Sequence, residues 1–153
     1  MTEYKFIADL MLGRLAKWLR IWGYDTEYYR DKDRKGIIIK SLQEKRIILT
    51  RDNRLSKKKA YNLILIRSNF FVEQLKQLKN ELNIEFDKNN LFTRCTICNI
   101  VVNKVNKKDV LNKVPIYIYD IHNEFSQCPI CKRIYWPGTH IELLRDKIKE
   151  IVD

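Results

Sequence analysis

The pattern of apolar and polar positions predicts alternating strands and helices over residues 1–90. Strands are predicted for the short apolar runs at Lys5–Ala8, Asp25–Tyr29, Arg46–Thr50 and Asn62–Ile66. Helices are predicted at Leu10–Trp22, over Gly36–Glu44, and through the stripe Phe71, Leu75, Leu78 and Leu82. The run Ile37–Ile39 fits either type of element, because three consecutive apolar residues carry no period. Strands that alternate with helices favour a parallel sheet covered on both faces, so we predict an α/β fold.

The alternation ends after residue 82. Residues 83–91 are rich in Asn, Asp, Glu and Lys, which predicts a linker. The elements predicted beyond it are strands at Ile116–Tyr119 and Arg133–Trp136 and a closing helix at His140–Val152. We therefore predict one α/β domain at 1–90 and a smaller domain at 91–153 that ends with the closing helix.

Four cysteines in the second part of the chain form two C-x-x-C pairs, Cys95 with Cys98 and Cys128 with Cys131. Two residues between thiolates allow a tight turn to direct both sulfurs at one ion, and two such turns make a tetrahedral site. We predict a structural zinc ion in a zinc ribbon, because four protein ligands leave no open coordination position. A short segment with few core residues also needs such an ion to fold.

Other uses of the four thiols stay open from sequence alone. They are two disulfides, a redox-active C-x-x-C and an iron site. Asn99 follows the first pair and is predicted to take the positive-φ position of a knuckle turn. Lys132 follows the second pair, where glycine is more usual. Retained thiols favour a reducing compartment, so we expect a cytoplasmic protein.

Composition and charge narrow the classes of function. The formal charge is +11, of which +8 falls within residues 1–90, and such an excess favours an anionic partner, most often nucleic acid. The 45% apolar content excludes a disordered chain. No apolar run approaches the roughly 18 residues of a membrane helix. The first residues also lack the basic-then-apolar order of a signal peptide.

Two aspartates follow predicted strands at the point where each strand ends. Asp9 comes directly after Lys5–Ala8, and Asp52 follows Arg46–Thr50 with one residue between. If these strands are neighbours, their backbones lie about 4.8 Å apart and the carboxylates converge at the edge where ligands bind. Close carboxylates repel unless a cation shields them, and hard oxygen ligands suit Mg²⁺ or Mn²⁺. Alternatively, Asp9 caps a helix and Asp52 caps a turn, and these roles are compatible with metal binding.

The chain resembles a known family along nearly its whole length. The first matching segments, in order, are Asp9–Arg20, Gly23-Tyr24-Asp25 and Ile48–Asp52. The later ones are Arg94-Cys-x-x-Cys-Asn99, Val114-Pro115, Cys128-Pro-x-Cys131 and Tyr135-Trp136-x-Gly138-x-His140. This ordered set resembles the PIN-like ribonuclease domain found at the C-terminus of the Mut-seven exonuclease and as free-standing prokaryotic proteins.

The resemblance implies a PIN-like α/β domain followed by a zinc ribbon, and a nuclease that acts on RNA. It also implies acidic residues that hold Mg²⁺ or Mn²⁺, of which Asp9 and Asp52 match the two clearest. The further acid is best matched by Asp33, with Asp31 as the alternative, because the stretch 30–35 departs from the family's acidic pattern. Substrate contacts are expected from four basic residues. Three lie in the matching segment Asp9–Arg20 and one lies beside Asp52: Arg14, Lys17, Arg20 and Arg51.

A metal-dependent ribonuclease is therefore the function that the sequence favours, with single-stranded RNA as the expected substrate. A bound ion would lower the pKa of a water molecule for attack on a phosphodiester, and Arg14 or Arg51 would offset charge on the phosphate. Alternatively, these arginines pair with the aspartates. Two other hypotheses remain, a zinc-ribbon protein that binds nucleic acid without turnover and a protein-interaction domain. A binder has no need of acids at both strand ends.

Overall fold

The computed structural model describes residues 3–136 and 141–152. Four parallel strands form the first sheet in the order β2-β1-β3-β4. They are β1 Lys5–Ala8, β2 Asp25–Tyr28, β3 Ile47–Thr50 and β4 Asn62–Leu65. In the two central strands Ile7 lies opposite Ile48 and Ala8 lies opposite Leu49. This parallel sheet confirms the predicted α/β class, and it places the carboxyl ends of β1 and β3 side by side.

Three helices connect and follow these strands: α1 Gly13–Ile21, α2 Arg34–Glu44 and α3 Phe71–Leu82. The helix predicted from Leu10 begins instead with a 3₁₀ turn at Leu10–Leu12, which the Asp9 carboxylate caps by accepting a hydrogen bond from the Leu10 amide. Met11 of that turn is exposed. The ambiguous run Ile37–Ile39 is helical, with Ile37 buried and Ile39 at the surface.

The core has a layer on each face of the parallel sheet. The larger layer packs α1 and α3 against the strands, and its centre includes the ring of Trp18 stacked on Phe71 at 5.0 Å. The smaller layer packs Ile37 of α2 against the sheet. Ile84 and Phe86 of the segment 83–91, predicted as a linker, are buried in the larger layer. Both faces of the sheet are therefore covered, as parallel strands require.

A second sheet of three antiparallel strands follows, in the order β5-β6-β7. Its strands are β5 Asn103–Val105, β6 Phe125–Gln127 and β7 Ile134–Tyr135. The predicted strand at Ile116–Tyr119 is wrong, because these residues belong to helix α4, Ile116–Ile121. Pro115 precedes α4, and its carbonyl accepts hydrogen bonds from the Ile118 and Tyr119 amides. Proline suits a helix start, since the amide it lacks has no helical partner there.

The closing helix α5 spans Ile141–Val152, and His140 lies outside the described residues. Its Ile148 and Ile151 are buried in the larger core layer of the first sheet. The domain division near residue 90 stays a prediction. No helix in the described part of the chain is long and apolar enough to cross a bilayer.

Candidate active site and metal centre

Asp9 lies directly beyond β1, and its carboxylate is fully buried. Its amide donates to the Leu49 carbonyl of β3 over 2.9 Å, which extends the pairing of the two strands past the end of β1. Oδ1 accepts a hydrogen bond from the Leu10 amide at 2.7 Å, and Oδ2 accepts one from the Thr50 hydroxyl at 2.7 Å. These donors hold the carboxylate in one orientation and satisfy charge-bearing oxygens that burial would otherwise leave unpaired.

Asp52 lies two residues beyond β3, and Thr50 links it to Asp9. The Asp52 amide donates to the Thr50 hydroxyl oxygen at 3.0 Å, and the same hydroxyl donates to Asp9. The Asp52 Oδ1 accepts from the Arg54 amide at 2.9 Å. Hydrogen bonds from the Arg54 backbone and side chain hold the pKa of Asp52 below its usual value. Asp52 therefore stays ionised through the neutral range.

One guanidinium joins the two aspartates. Arg34, the first residue of α2, donates from Nη1 to the Asp9 Oδ1 and from Nη2 to the Asp52 Oδ2, the latter at 3.2 Å. Both carboxylates therefore face the same small volume, as the sequence predicts, and that volume already accommodates a cationic group. In the described part of the chain the acids do not form a set of three metal ligands within 4.8 Å of one another.

Asp33 and Asp31 make local contacts at the start of α2. The Asp33 carboxylate accepts from the Lys35 amide at 3.0 Å and caps the helix. The Asp31 carboxylate accepts from the Asp33 amide at 3.0 Å. Both residues are exposed, and Asp33 directly precedes Arg34, the arginine that reaches Asp9 and Asp52. Their predicted role as further metal ligands stays a prediction.

The four predicted substrate-contacting residues lie in different surroundings. The Arg14 guanidinium lies over the Phe71 ring at 4.2 Å, and Arg51 donates to the Asn69 side chain. Lys17 is exposed, and Arg20 is half-buried. Arg20 donates to the carbonyls of Thr26 at 2.8 Å, Thr96 at 3.0 Å and Ile97 at 3.2 Å. Burial lowers the pKa of Arg20. Among the described ion pairs, Arg34 pairs with both Asp9 and Asp52, and Arg54 pairs with Asp52.

A groove of about 880 Å³ runs between α1 and the zinc-ribbon segment. We call it the α1–ribbon groove, and its basic lining residues are Arg14, Lys17, Arg20, Arg30 and Arg133. Its aromatic lining includes Tyr28, whose hydroxyl donates to the Leu10 carbonyl at 2.6 Å. Since Leu10 follows Asp9, one end of the groove lies beside the carboxyl edge of the first sheet.

The four cysteines form a cluster positioned to bind a metal ion. All four Sγ atoms lie within 4.8 Å of one another, with Cys95 and Cys128 buried. Backbone amides point at the sulfurs, as from Cys98 to Cys95 Sγ at 3.4 Å and from Ile130 to Cys128 Sγ at 3.4 Å. Such amide donors are favourable to thiolates. The residues thus fit the four-sulfur site of a structural zinc ion.

The ionisation of the thiols also fits a bound cation. Burial raises the pKa of Cys95, but hydrogen bonds from the Tyr135 hydroxyl and from backbone amides outweigh it and lower that pKa. Burial and the neighbouring sulfurs raise the pKa of Cys98. Four thiolates in contact repel one another, so the full set of ligands requires a positive ion between them.

The knuckle turns use left-handed backbone, as predicted for Asn99. The φ angle of Asn99 is 57° and that of Lys132 is 66°. Asn99 also joins the two sheets, because its side chain accepts from the Thr26 amide at 2.9 Å and donates to the Asp25 carboxylate at 2.7 Å. The first knuckle is therefore held against β2.

Sequence reasoning missed Arg34 and Thr50. Thr50 is the last residue of a predicted strand, two residues before Asp52. Its contact with Asp9 follows from the parallel register of β1 and β3, and that register was the signal that could have predicted the contact. Arg34 lies 25 residues from Asp9 and 18 from Asp52 in sequence, and its position between them depends on how α2 returns to the sheet.

Comparison with known proteins gives one match. The family model described as "Mut7-C RNAse domain" matches residues 4–148, a range that includes both aspartates, Arg34 and all four cysteines. No curated protein and no solved structure matches the chain.

Proposed function

The chain belongs to the Mut7-C RNAse domain family, and from that premise we propose that it is a ribonuclease that uses Mg²⁺ or Mn²⁺ held by Asp9 and Asp52. Family membership indicates a ribonuclease-type activity on RNA. The observation that carries the finer proposal is the shared contact of the two carboxylates with one guanidinium.

The residues at the sheet edge fit a divalent cation. Both carboxylates contact one guanidinium through its two terminal nitrogens, which supports a single cation shared between them, and oxygen donors are those that Mg²⁺ and Mn²⁺ prefer. Asp9 and Asp52 would hold the ion, and Asp33 or Asp31 would contribute to it through water or after rearrangement of the α2 start. A divalent cation there supplies polarisation of the phosphodiester and of the attacking water.

The surrounding residues orient the Asp9 carboxylate and keep the Asp52 carboxylate ionised, as metal binding would require. Thr50 and the Leu10 amide orient Asp9, and the Arg54 amide keeps Asp52 ionised. Such fixed donors need no rearrangement when charge develops during the reaction. Arg34 offsets part of the charge of the two acids. Arg51, beside Asp52 in sequence, would offset charge on a phosphate.

The second part of the chain has a structural role in this proposal. A zinc ion held by the four cysteines would fix both knuckles, and the first knuckle is bonded to Arg20 and Thr26 of the first sheet's domain. The thiols would stay reduced in the cytoplasm.

The test is cleavage of a labelled single-stranded RNA by the purified protein with and without Mn²⁺ or Mg²⁺. Wild-type protein is expected to cut only with the metal, and Asp9→Asn and Asp52→Asn are each expected to abolish cutting. The matched control is Asp109→Asn, an exposed aspartate in the second part of the chain. Cleavage that survives both site substitutions would contradict the proposal.

One observation favours a second candidate, a nucleic-acid-binding protein without turnover. Arg34 already pairs with both Asp9 and Asp52 and offsets part of their charge, so the two acids have a cationic partner without a metal ion. Under this alternative the wild-type protein binds RNA but does not cut it with either metal, and substitution of the two aspartates leaves RNA binding intact.

A further inference from the structure

We propose that the α1–ribbon groove binds the backbone of a single RNA strand and leads it to Asp9 and Asp52. The inference rests on the proposed function for the choice of RNA as the polymer. It extends that function by assigning a substrate path to residues outside the acidic site, including part of the zinc ribbon.

The charge of the groove is the first observation that supports this proposal. Five basic side chains line it and no acidic one does. Four of them, Arg14, Lys17, Arg30 and Arg133, are exposed. None of the five forms an ion pair with an acidic side chain that the structure describes, unlike Arg34 and Arg46 elsewhere. A concave surface with several uncompensated cations attracts a polyanion, and phosphates supply the missing negative charge.

The groove is a fixed feature with two walls. Arg14, Lys17 and Arg20 recur at three-residue steps along α1, so they lie along one side of that helix. Arg133 contributes from the ribbon on the opposite wall. Arg20 bonds the carbonyls of Thr96 and Ile97, so the ribbon knuckle is attached to α1 along the groove. A phosphate backbone would therefore meet positions that are set before binding.

Tyr28 connects the wall of the groove to the residue that follows Asp9. Its hydroxyl holds the carbonyl of Leu10, next to Asp9, and Arg30 lies over its ring at 5.2 Å. Gly13 permits this packing, because a Cβ at that position would lie 3.0 Å from the Tyr28 ring. A strand lying in the groove would thus pass directly onto the edge that carries Asp9.

The shape favours one strand over a duplex. Cations on both walls can surround a single backbone. A duplex carries two backbones across a wide minor groove, so it would need cations spread over a broader surface than these two walls.

The experiment measures binding of a fluorescent 15-nucleotide single-stranded RNA by anisotropy over a range of salt concentrations. No Mg²⁺ or Mn²⁺ is added, and a gel verifies that the RNA stays uncut. The groove variant combines Lys17→Gln, Arg30→Gln and Arg133→Gln, three exposed residues. The matched control combines Lys5→Gln, Lys45→Gln and Lys108→Gln, which removes the same charge from exposed positions outside the groove. Zinc content and thermal melting check that both variants are folded.

The groove variant is expected to bind at least about tenfold more weakly and to lower the slope of log K against log salt by about 2, since each lost phosphate contact on a single strand contributes about 0.7. The control is expected to keep affinity within about twofold, because its charges are screened from the groove. Equal weakening in both variants, or an unchanged groove variant, overturns the inference. Tighter binding of a duplex of the same length also overturns it.

The two proposals fail separately. In one result, the groove variant loses RNA binding and the wild-type protein does not cut RNA with Mn²⁺. This result supports the groove proposal and overturns the ribonuclease proposal. The opposite result is also possible: the wild-type protein cuts RNA with Mn²⁺, and the groove variant binds and cuts RNA as well as wild type. This result supports the ribonuclease proposal and overturns the groove proposal.

Discussion

Arg34 pairs with the buried carboxylate of Asp9 across the carboxyl edge of the parallel sheet. The Asp9 side chain is 1% exposed, whereas the Arg34 side chain is 38% exposed, and the same guanidinium reaches Asp52. A partly exposed cation therefore offsets part of the repulsion between the two acids. A divalent ion bound by the carboxylate oxygens of Asp9 and Asp52 therefore has to compete with the Arg34 guanidinium.

Replacement of that cation is expected to tighten metal binding. Arg34→Gln should lower the Kd for Mn²⁺ by about two- to fivefold, because a partly exposed ion pair is worth up to about 1 kcal/mol. The melting temperature without Mn²⁺ should fall, since Asp9 loses a charged partner, and added Mn²⁺ should restore it. Electron paramagnetic resonance of free Mn²⁺ measures the Kd.

The matched control for Arg34 is Arg54→Gln, because Arg54 reaches only Asp52, at 3.3 Å, and its side chain is 91% exposed. It should leave the Kd nearly unchanged. Weaker Mn²⁺ binding by Arg34→Gln than by wild type would refute the competition.

The contact of Asn99 with β2 is expected to contribute to stability in two separable ways. Asn99→Gly keeps the left-handed turn but removes the bonds to Thr26 and Asp25, which should cost about 1–3 kcal/mol. Asn99→Ala should cost about 1 kcal/mol more, because a Cβ without a polar group disfavours φ 57°. Urea unfolding measures both, and equal stability of the Gly variant and wild type would show that the side-chain bonds contribute nothing.

The four-sulfur centre is expected to hold one zinc ion per chain. Cys128→Ser should reduce zinc to near zero and unfold the second sheet, since that small sheet has little other core. Elemental analysis and circular dichroism measure both effects. Ile130→Ala, at an exposed position in the same knuckle, should keep the zinc. A Cys128→Ser protein with full zinc and unchanged melting would contradict the assignment.

Stability should depend on pH through Asp25. Burial raises its pKa, but hydrogen bonds from Arg46 and Asn99 outweigh burial and hold the pKa below its usual value. A lowered pKa means that the unfolded chain takes up the proton first. The stabilisation is therefore complete above about pH 4 to 5 and is lost as the pH falls through the lowered value.

The measurement for Asp25 is the unfolding free energy from pH 7 to pH 3. Asp25→Asn should be less stable than wild type at pH 7, and the difference should shrink toward pH 3. Asp120→Asn, an exposed position on α4, serves as the control. If the difference in unfolding free energy between wild type and Asp25→Asn stays constant from pH 7 to pH 3, the ionised Asp25 carboxylate is excluded as its source.

The sequence predicted the features that depend on short-range pattern. The strands β1 and β3, the positions of Asp9 and Asp52 beyond them, and the cysteine pairs all follow from neighbours within a few residues. The register of parallel strands then brought the two acids together, since adjacent parallel strands end at one edge.

Features set by tertiary packing were not predicted. Arg34 reaches Asp9 only because α2 returns across the sheet, and no local signal marks that contact. The run Ile116–Tyr119 alternates apolar and aromatic residues as a strand does, yet Pro115 begins a helix there. The place of Ile148 and Ile151 in the larger core layer likewise depends on the path of the whole chain.

The most direct test of the central claim is the stoichiometry of Mn²⁺ binding to zinc-loaded protein. Electron paramagnetic resonance measures it for wild type, Asp9→Asn, Asp52→Asn and the variant that carries both substitutions. If the two carboxylates share an ion, wild type binds Mn²⁺ at a site that each single substitution removes, and the double variant loses no more than either single one. Wild-type protein without such a site, or two substitutions that weaken Mn²⁺ binding independently and additively, would contradict the shared ion.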